Sequence, residues 1–126
     1  MGSYDNRTCG FRSIGPPSLR VECGIPGADA NPYLAFAATI AAGLHGLENK
    51  LDLPPEFRGD AYSNKDLPRV QGNLTEAINA REESQVAHQA FGDEVVGHYL
   101  HSARLERQTF DSAVTDWELR RNFERI

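Results

Sequence analysis

Gly15-Pro16-Pro17 stands between two short runs of alternating apolar and polar residues, and it leaves the first 26 residues few ways to fold. Proline fixes φ and lacks an N–H, so two in succession after a glycine end any regular element and favour a reversal of the chain. Before the break, Thr8 to Arg12 sets Cys9 and Phe11 on one face and Thr8, Gly10 and Arg12 on the other. After it, Leu19, Val21, Cys23 and Ile25 share an apolar face, opposite Arg20, Glu22 and Gly24. The pattern predicts an antiparallel β-hairpin over residues 6–26. A reversal centred on Gly15–Pro17 places Gly10 opposite Glu22 and Arg12 opposite Arg20, so the polar face carries Arg12, Arg20 and Glu22 around a gap left by glycine. A lone two-stranded ribbon is marginal in water. The hairpin is therefore expected to belong to a larger sheet, and its open edge to make the free chain associate.

Asn31-Pro32 is a helix start, with a side-chain oxygen for the first orphan N–H groups and a proline where no donor is missed. The helix expected over residues 32–49 is apolar on almost all sides as far as Leu44 and reads as a buried cover for the hairpin's apolar face. Residues 50–72, with prolines at 54, 55 and 68, read as a long irregular surface connection. A helical region over 73–124 follows. Asn73-Leu74-Thr75-Glu76 has capping-box character for a short helix to about Glu83; Ser84 caps the next, and Asp93 caps a longer one. On that last helix Val96, Leu100, Ala103, Phe110, Val114 and Trp117 form an apolar stripe, with a break near Thr115. Trp117 and Phe123 read as core, the alternative being an exposed anchor for a partner. The fold class is α+β, an N-terminal antiparallel hairpin followed by a helical C-terminal half, and 126 residues suit one domain with one core.

A formal charge of −5 offers no basic excess, so nucleic acid is not an expected partner. The longest apolar stretch, Tyr33 to Leu44, falls short of the roughly 20 residues a membrane span needs. The N-terminus lacks a basic segment followed by an apolar core, and a cytoplasmic location is expected. Cys9 and Cys23 make neither a disulfide framework nor a four-cysteine zinc site, and read as small buried apolar residues. His98 and His101, three apart on a helix, lack a third ligand and read as a surface or partly buried pair; His45 and His88 have no partner in the sequence.

Arginines beside one glutamate have two chemical readings. One is a solvated face with ordinary ion pairs. The other is a phosphate site with a metal, since guanidinium forks match phosphate oxygens and a carboxylate is a hard oxygen ligand for magnesium. A single glutamate does not make a magnesium site, and nothing downstream supplies a carboxylate cluster.

"NRTCGFR", then "LRVEC", then "IPGADANPYLAFAATIAAGLHGLEN" resemble the C-terminal part of the catalytic domain of glutamine synthetase, and the likeness continues in "DLPR", "FGDEVVGHYL" and "VTDWELRRNFERI". It covers practically the whole chain, and "RTCGFR" and "GADANPYLAFAA" look closer to bacterial glutamine-synthetase-like and γ-glutamyl-amine ligases than to the main biosynthetic form. The resemblance implies ATP-dependent joining of glutamate to ammonia or an amine through an acyl phosphate, with ATP and magnesium or manganese. It implies that Arg7 contacts the transferred phosphoryl group and glutamate, that Arg12 and Arg20 hold ATP phosphates together with Arg7, and that Glu22 binds a divalent metal. The family's Glu-x-Arg arginine, which holds a substrate carboxylate, is replaced by Gly24. The family's upstream metal carboxylates and histidine do not occur. The chain is thus expected to be a truncated ligase, inactive alone and either oligomeric or associated with the missing enzyme portion; the alternative is a non-catalytic remnant or interaction subdomain that binds the rest of the enzyme or a paralogue.

Overall fold

In a computed structural model of the chain, residues 2–123 and 125 are described. Glu124, the last residue of the expected helical region, lies outside them. The chain forms two compact units, residues 1–70 and 71–126, where one domain with one core was expected. Among the described residues the buried apolar side chains that cluster together lie in the second unit, and Cys9 is buried in the first.

The first unit is built on a three-stranded mixed sheet, β1 (Gly2–Tyr4), β2 (Phe11–Ile14) and β3 (Arg20–Cys23), in that order. β2 and β3 are the antiparallel hairpin expected from the alternation; β1 pairs parallel to β2, a strand too short to carry a periodicity. The register departs from expectation by two residues: Arg12 faces Glu22 and Ile14 faces Arg20, with Phe11 opposite Cys23. Pairing Ile14 with Arg20 centres the reversal on Pro17, one residue later than expected. A two-residue slip leaves every side chain on its original face, and it exchanges a like-charge Arg12–Arg20 opposition for an attractive Arg12–Glu22 pair.

Residues 51–70 hold no helix or strand, and residues 56–61 are tied by hydrogen bonds to β1 and the loop that follows it. The Tyr4 N–H donates to Glu56 Oε1 (3.0 Å), Ser3 Oγ to the Phe57 carbonyl (2.5 Å), Asn6 Nδ2 to the Gly59 carbonyl (2.9 Å), and the Ala61 N–H to Thr8 Oγ1 (2.9 Å). The Tyr4 N–H, and after it Arg58, holds the Glu56 carboxyl below its ordinary pKa. Helix α1 (Pro32–Glu48) begins as read, with Asn31 Oδ1 accepting from the Tyr33 and Leu34 N–H groups. None of its residues is buried, however, and Tyr33 is 83% exposed. The expectation of a buried helix over the hairpin is thereby corrected: an all-round apolar surface favours burial, but among the described residues none covers this helix enough to bury a side chain.

The second unit is helical: α2 (Leu74–Glu82), α3 (Gln85–Phe91), α4 (Asp93–Ser112) and α5 (Asp116–Asn122). Asn73 caps α2 through the Glu76 N–H while Glu76 reaches back to the Gly72 N–H, Ser84 caps α3, and Thr115 with Glu118 forms a reciprocal capping box on α5. Asp93 does not cap α4. That position is Gly92, at φ +79°, and the Asp93 carboxylate turns to His88 instead. The core joins α2 to α4 through Ile78, Val96 and Leu100, with Ala87, Phe91 and Ala103 packed against it. Only the first half of the α4 stripe is buried. Phe110 and Val114 are exposed, as are Trp117 (65%) and Phe123 (83%), correcting their reading as core; the α4 stripe outruns the helices available to cover it.

With so few buried side chains, each carries a large share of the unit's stability. Leu100→Ala is expected to destabilise residues 71–126 by about 2–5 kcal/mol, read from urea unfolding followed by circular dichroism. A loss below about 0.5 kcal/mol, the level usual for surface positions, would show that Leu100 is not core.

Candidate active site

The polar face of the sheet is assembled by the β2–β3 register. Arg12 and Glu22 are directly opposite, and Arg20 shares the Glu22 face two residues earlier on the same strand. Both oxygens of the Glu22 carboxylate are engaged. Oε2 accepts from Arg12 Nε at 2.6 Å and faces its Nη2 at 2.5 Å, while Oε1 accepts from Arg20 Nε at 2.7 Å. Arg12 Nη1 donates to Asp5 Oδ1 at 3.1 Å, and Arg20 Nη1 donates to the Ser18 carbonyl. The Arg12 side chain is 14% exposed, against 34% for Glu22 and 47% for Arg20, so Arg12 is the fixed centre of the array. Hydrogen bonds from Arg12 first and Arg20 second hold the Glu22 carboxyl below its ordinary value of 4.5.

Beside this array lies an open cleft of about 190 Å³ lined by Arg7, Cys9, Arg12, Glu22, Cys23 and Gly24. The structure thus gathers Arg7, Arg12, Glu22 and Gly24 around one space. Arg20 does not line it and reaches the group only through Glu22. Asp5 was not singled out from the sequence. It precedes β2, at φ +45°, and no periodicity marks it. Cys9 is buried and Cys23 half-buried, both as free thiols.

The two glycines facing each other here differ. A Cβ on Gly10 would lie 3.0 Å from the Ile25 side chain, so packing holds that position small. A Cβ on Gly24 would meet only the Gly10 carbonyl at 4.0 Å, leaving room for a longer side chain. The glycine at 24 is not demanded by this fold.

Guanidinium groups from Arg7, Arg12 and Arg20 outnumber the carboxylates of Asp5 and Glu22, but the Arg12 and Arg20 forks are engaged, so a polyphosphate at Arg12 would have to compete with Glu22 and Asp5 for its donors. A divalent metal fits less well. Both Glu22 oxygens are held by arginines, and among the described residues no three His, Cys, Asp or Glu side chains come together as a ligand set. A metal at Glu22 would have to displace an arginine and bring its remaining ligands from elsewhere.

The sequence matches the family described as "Glutamine synthetase, catalytic domain" over residues 2–122. The chain belongs to the glutamine synthetase family. It is 54% identical over 98% of its length to a γ-glutamylethanolamide synthetase of Streptomyces coelicolor, and 41% identical over 94% of its length to a glutamate–isopropylamine ligase of a Pseudomonas species. A solved structure described as "Apo GmaS without ligand" superimposes with a TM-score of 0.84 at 31% identity, covering 98% of this chain, so the α+β fold is shared. The chain spans 27% of the length of each of those two relatives and 29% of that structure's chain. Among the described residues no helix is long and apolar enough to cross a membrane.

The lowered Glu22 pKa gives a signed expectation. Its contribution to stability is complete above pH 4.5 and is lost as the pH falls below that through the folded-state value. Carboxyl-carbon NMR should find Glu22 titrating below 4.5, with Arg12→Ala raising its midpoint further than Arg20→Ala does. A midpoint at 4.5 in the unmodified chain, or a larger effect from Arg20, would contradict the order of the two bonds.

Proposed function

We propose that this chain supplies part of the active site of an ATP-dependent carbon–nitrogen ligase, which joins the γ-carboxyl of glutamate to ammonia or an amine with ATP and magnesium or manganese. The observation that carries this reading is the Arg12–Glu22–Arg20 array beside the cleft lined by Arg7 and Gly24. In the proposed reaction a glutamate γ-carboxylate oxygen attacks the γ-phosphorus of ATP and ADP departs; nitrogen then attacks the acyl carbon and phosphate leaves. Negative charge gathers on phosphoryl oxygens in the first step, and fixed guanidiniums are suited to balance it. Arg7 is assigned to the transferred phosphoryl group and glutamate, Arg12 and Arg20 with Arg7 to the ATP phosphates, and Glu22 to a divalent metal. The names of the Streptomyces and Pseudomonas relatives favour an amine over ammonia as the second substrate. The reading places the protein in the cytoplasm.

The remaining ligands of such a metal are not among the described residues, so we assign no ligase activity to the chain by itself and expect it to work in association with further parts of a synthetase, in an oligomer. A second reading, an interaction subdomain that binds the rest of the enzyme or a paralogue, draws support from α1, whose Tyr33, Phe36, Ile40 and Leu44 are all exposed.

A graft separates the two. Residues 2–122 replace the matching segment of the Streptomyces γ-glutamylethanolamide synthetase, and phosphate release is followed with ATP, magnesium, glutamate and ethanolamine. Gly24→Arg in the graft is expected to raise kcat/KM for glutamate by about 10- to 150-fold, the size of one charge-assisted hydrogen bond of roughly 1.5–3 kcal/mol, and Arg12→Ala to lower it by a similar factor. Equal activity with Gly24 and arginine would remove the substrate role from that position. A graft inactive with either residue would favour the interaction subdomain.

A further inference from the structure

His88 sits in the last turn of α3 and faces two hydrogen-bond acceptors on two other helices. Its Nδ1 is 2.5 Å from Asp93 Oδ1, on the first residue of α4, and its Nε2 is 3.1 Å from the backbone carbonyl of Glu82, the last residue of α2. A carboxylate and a carbonyl both accept, and a neutral imidazole has a single N–H to offer. Only the imidazolium, with two N–H groups, satisfies both ends at once.

The chain builds this junction from local parts. Gly92 links α3 to α4 at φ +79°, a conformation suited to glycine, and its N–H donates to the His88 carbonyl at 2.9 Å. The following residue, Asp93, is thereby returned to the His88 ring. Glu82 presents a carbonyl that the end of α2 leaves without a helical donor, where a cation is favoured. A third charged side chain acts on the ring from α2. Arg81 opposes protonation, with its guanidinium carbon 5.9 Å from the Phe91 ring centroid and 5.6 Å from that of Tyr99. The Glu82 carboxylate is turned to Arg104 at 2.5 Å.

We propose that His88 is a protonation-dependent clamp on the α2–α3–α4 junction: charged, it ties the Glu82 carbonyl and the Asp93 carboxylate to one ring, and neutral, it holds only one of them. On release, the Nε2–H bond breaks, its proton passes to water and the electron pair stays on the nitrogen, which then faces the Glu82 carbonyl with no donor between them. The Nδ1–H stays on the Asp93 carboxylate, the stronger acceptor. The helices tied this way are those that enclose Ile78, Val96 and Leu100, so loss of the bond loosens the unit where its core is made. The Asp93 carboxylate first and the Glu82 carbonyl second hold the His88 pKa above its ordinary 6.5, against burial and Arg81. The clamp is complete below about pH 6.5 and is lost as pH rises through the folded-state value.

The test is histidine ring and amide NMR on the full chain. At pH 6 both His88 ring nitrogens are expected to carry protons, with a titration midpoint above 6.5 that Asp93→Asn moves down. Amide-exchange protection at Ile78 and Val96, corrected for intrinsic base catalysis, is expected to fall severalfold from pH 6 to 8.5 and to become pH-independent in His88→Gln. Asp93 is 91% exposed, so its replacement leaves the fold intact if the His88 variant does not fold, and it should weaken the same pH response. A midpoint at or below 6.5, or a protection loss that persists unchanged in both variants, would overturn the clamp.

Discussion

The site depends on one carboxylate held between two guanidiniums. Glu22 gives one oxygen to Arg12 and the other to Arg20, and this fixes two long cationic side chains that would otherwise sample many rotamers. Arg12 is further braced by Asp5 and is the least exposed of the three. An exposed ion pair contributes little to stability. The value of this one lies in position: it holds the Arg12 guanidinium at the rim of the cleft. A phosphate approaching Arg12 competes with Glu22, and a metal approaching Glu22 competes with both arginines. In the proposed function, anion and metal binding would be coupled, because Glu22 and the two arginines are each other's partners.

The hairpin was legible because strand alternation and a Gly-Pro-Pro break are local signals. Its register was not, because the break spans several residues and the centre of a reversal cannot be read from composition alone. The error fell on an even number, so the face assignments of Arg12, Arg20 and Glu22 survived while their partners changed. β1 was invisible for the opposite reason: three residues carry no period, and parallel pairing leaves no turn signature. Asp5 and His88 acquire their roles from backbone geometry, one by its left-handed conformation before β2, the other by the Gly92 turn. The caps at Asn31, Asn73, Ser84 and Thr115 were readable residue by residue, since a cap is settled within a few positions of the chain.

Burial was the poorest guide. Helix α1 has the composition of a core helix and buries none of its residues, and the second half of the α4 stripe, with Trp117, is likewise open. Apolar periodicity records which surface is better covered, and cannot say whether the covering surface is in the same chain. The second unit still makes a small core of its own, because α2 and α4 are brought together by short connections within it.

The most direct test of the central claim is to observe the arginine Nε–H signals of Arg7, Arg12 and Arg20 by NMR while a non-hydrolysable ATP analogue is added to the chain. If the array is a phosphate-binding wall, the Arg12 and Arg20 signals shift together with Arg7 in one saturable event, and Glu22→Gln alters that event. Inorganic sulfate at equal ionic strength should not reproduce it. Signals from Arg12 and Arg20 that stay at their Glu22-paired positions to saturating analogue, or that move equally with sulfate, would contradict the claim and leave the array as an ordinary ion-paired face.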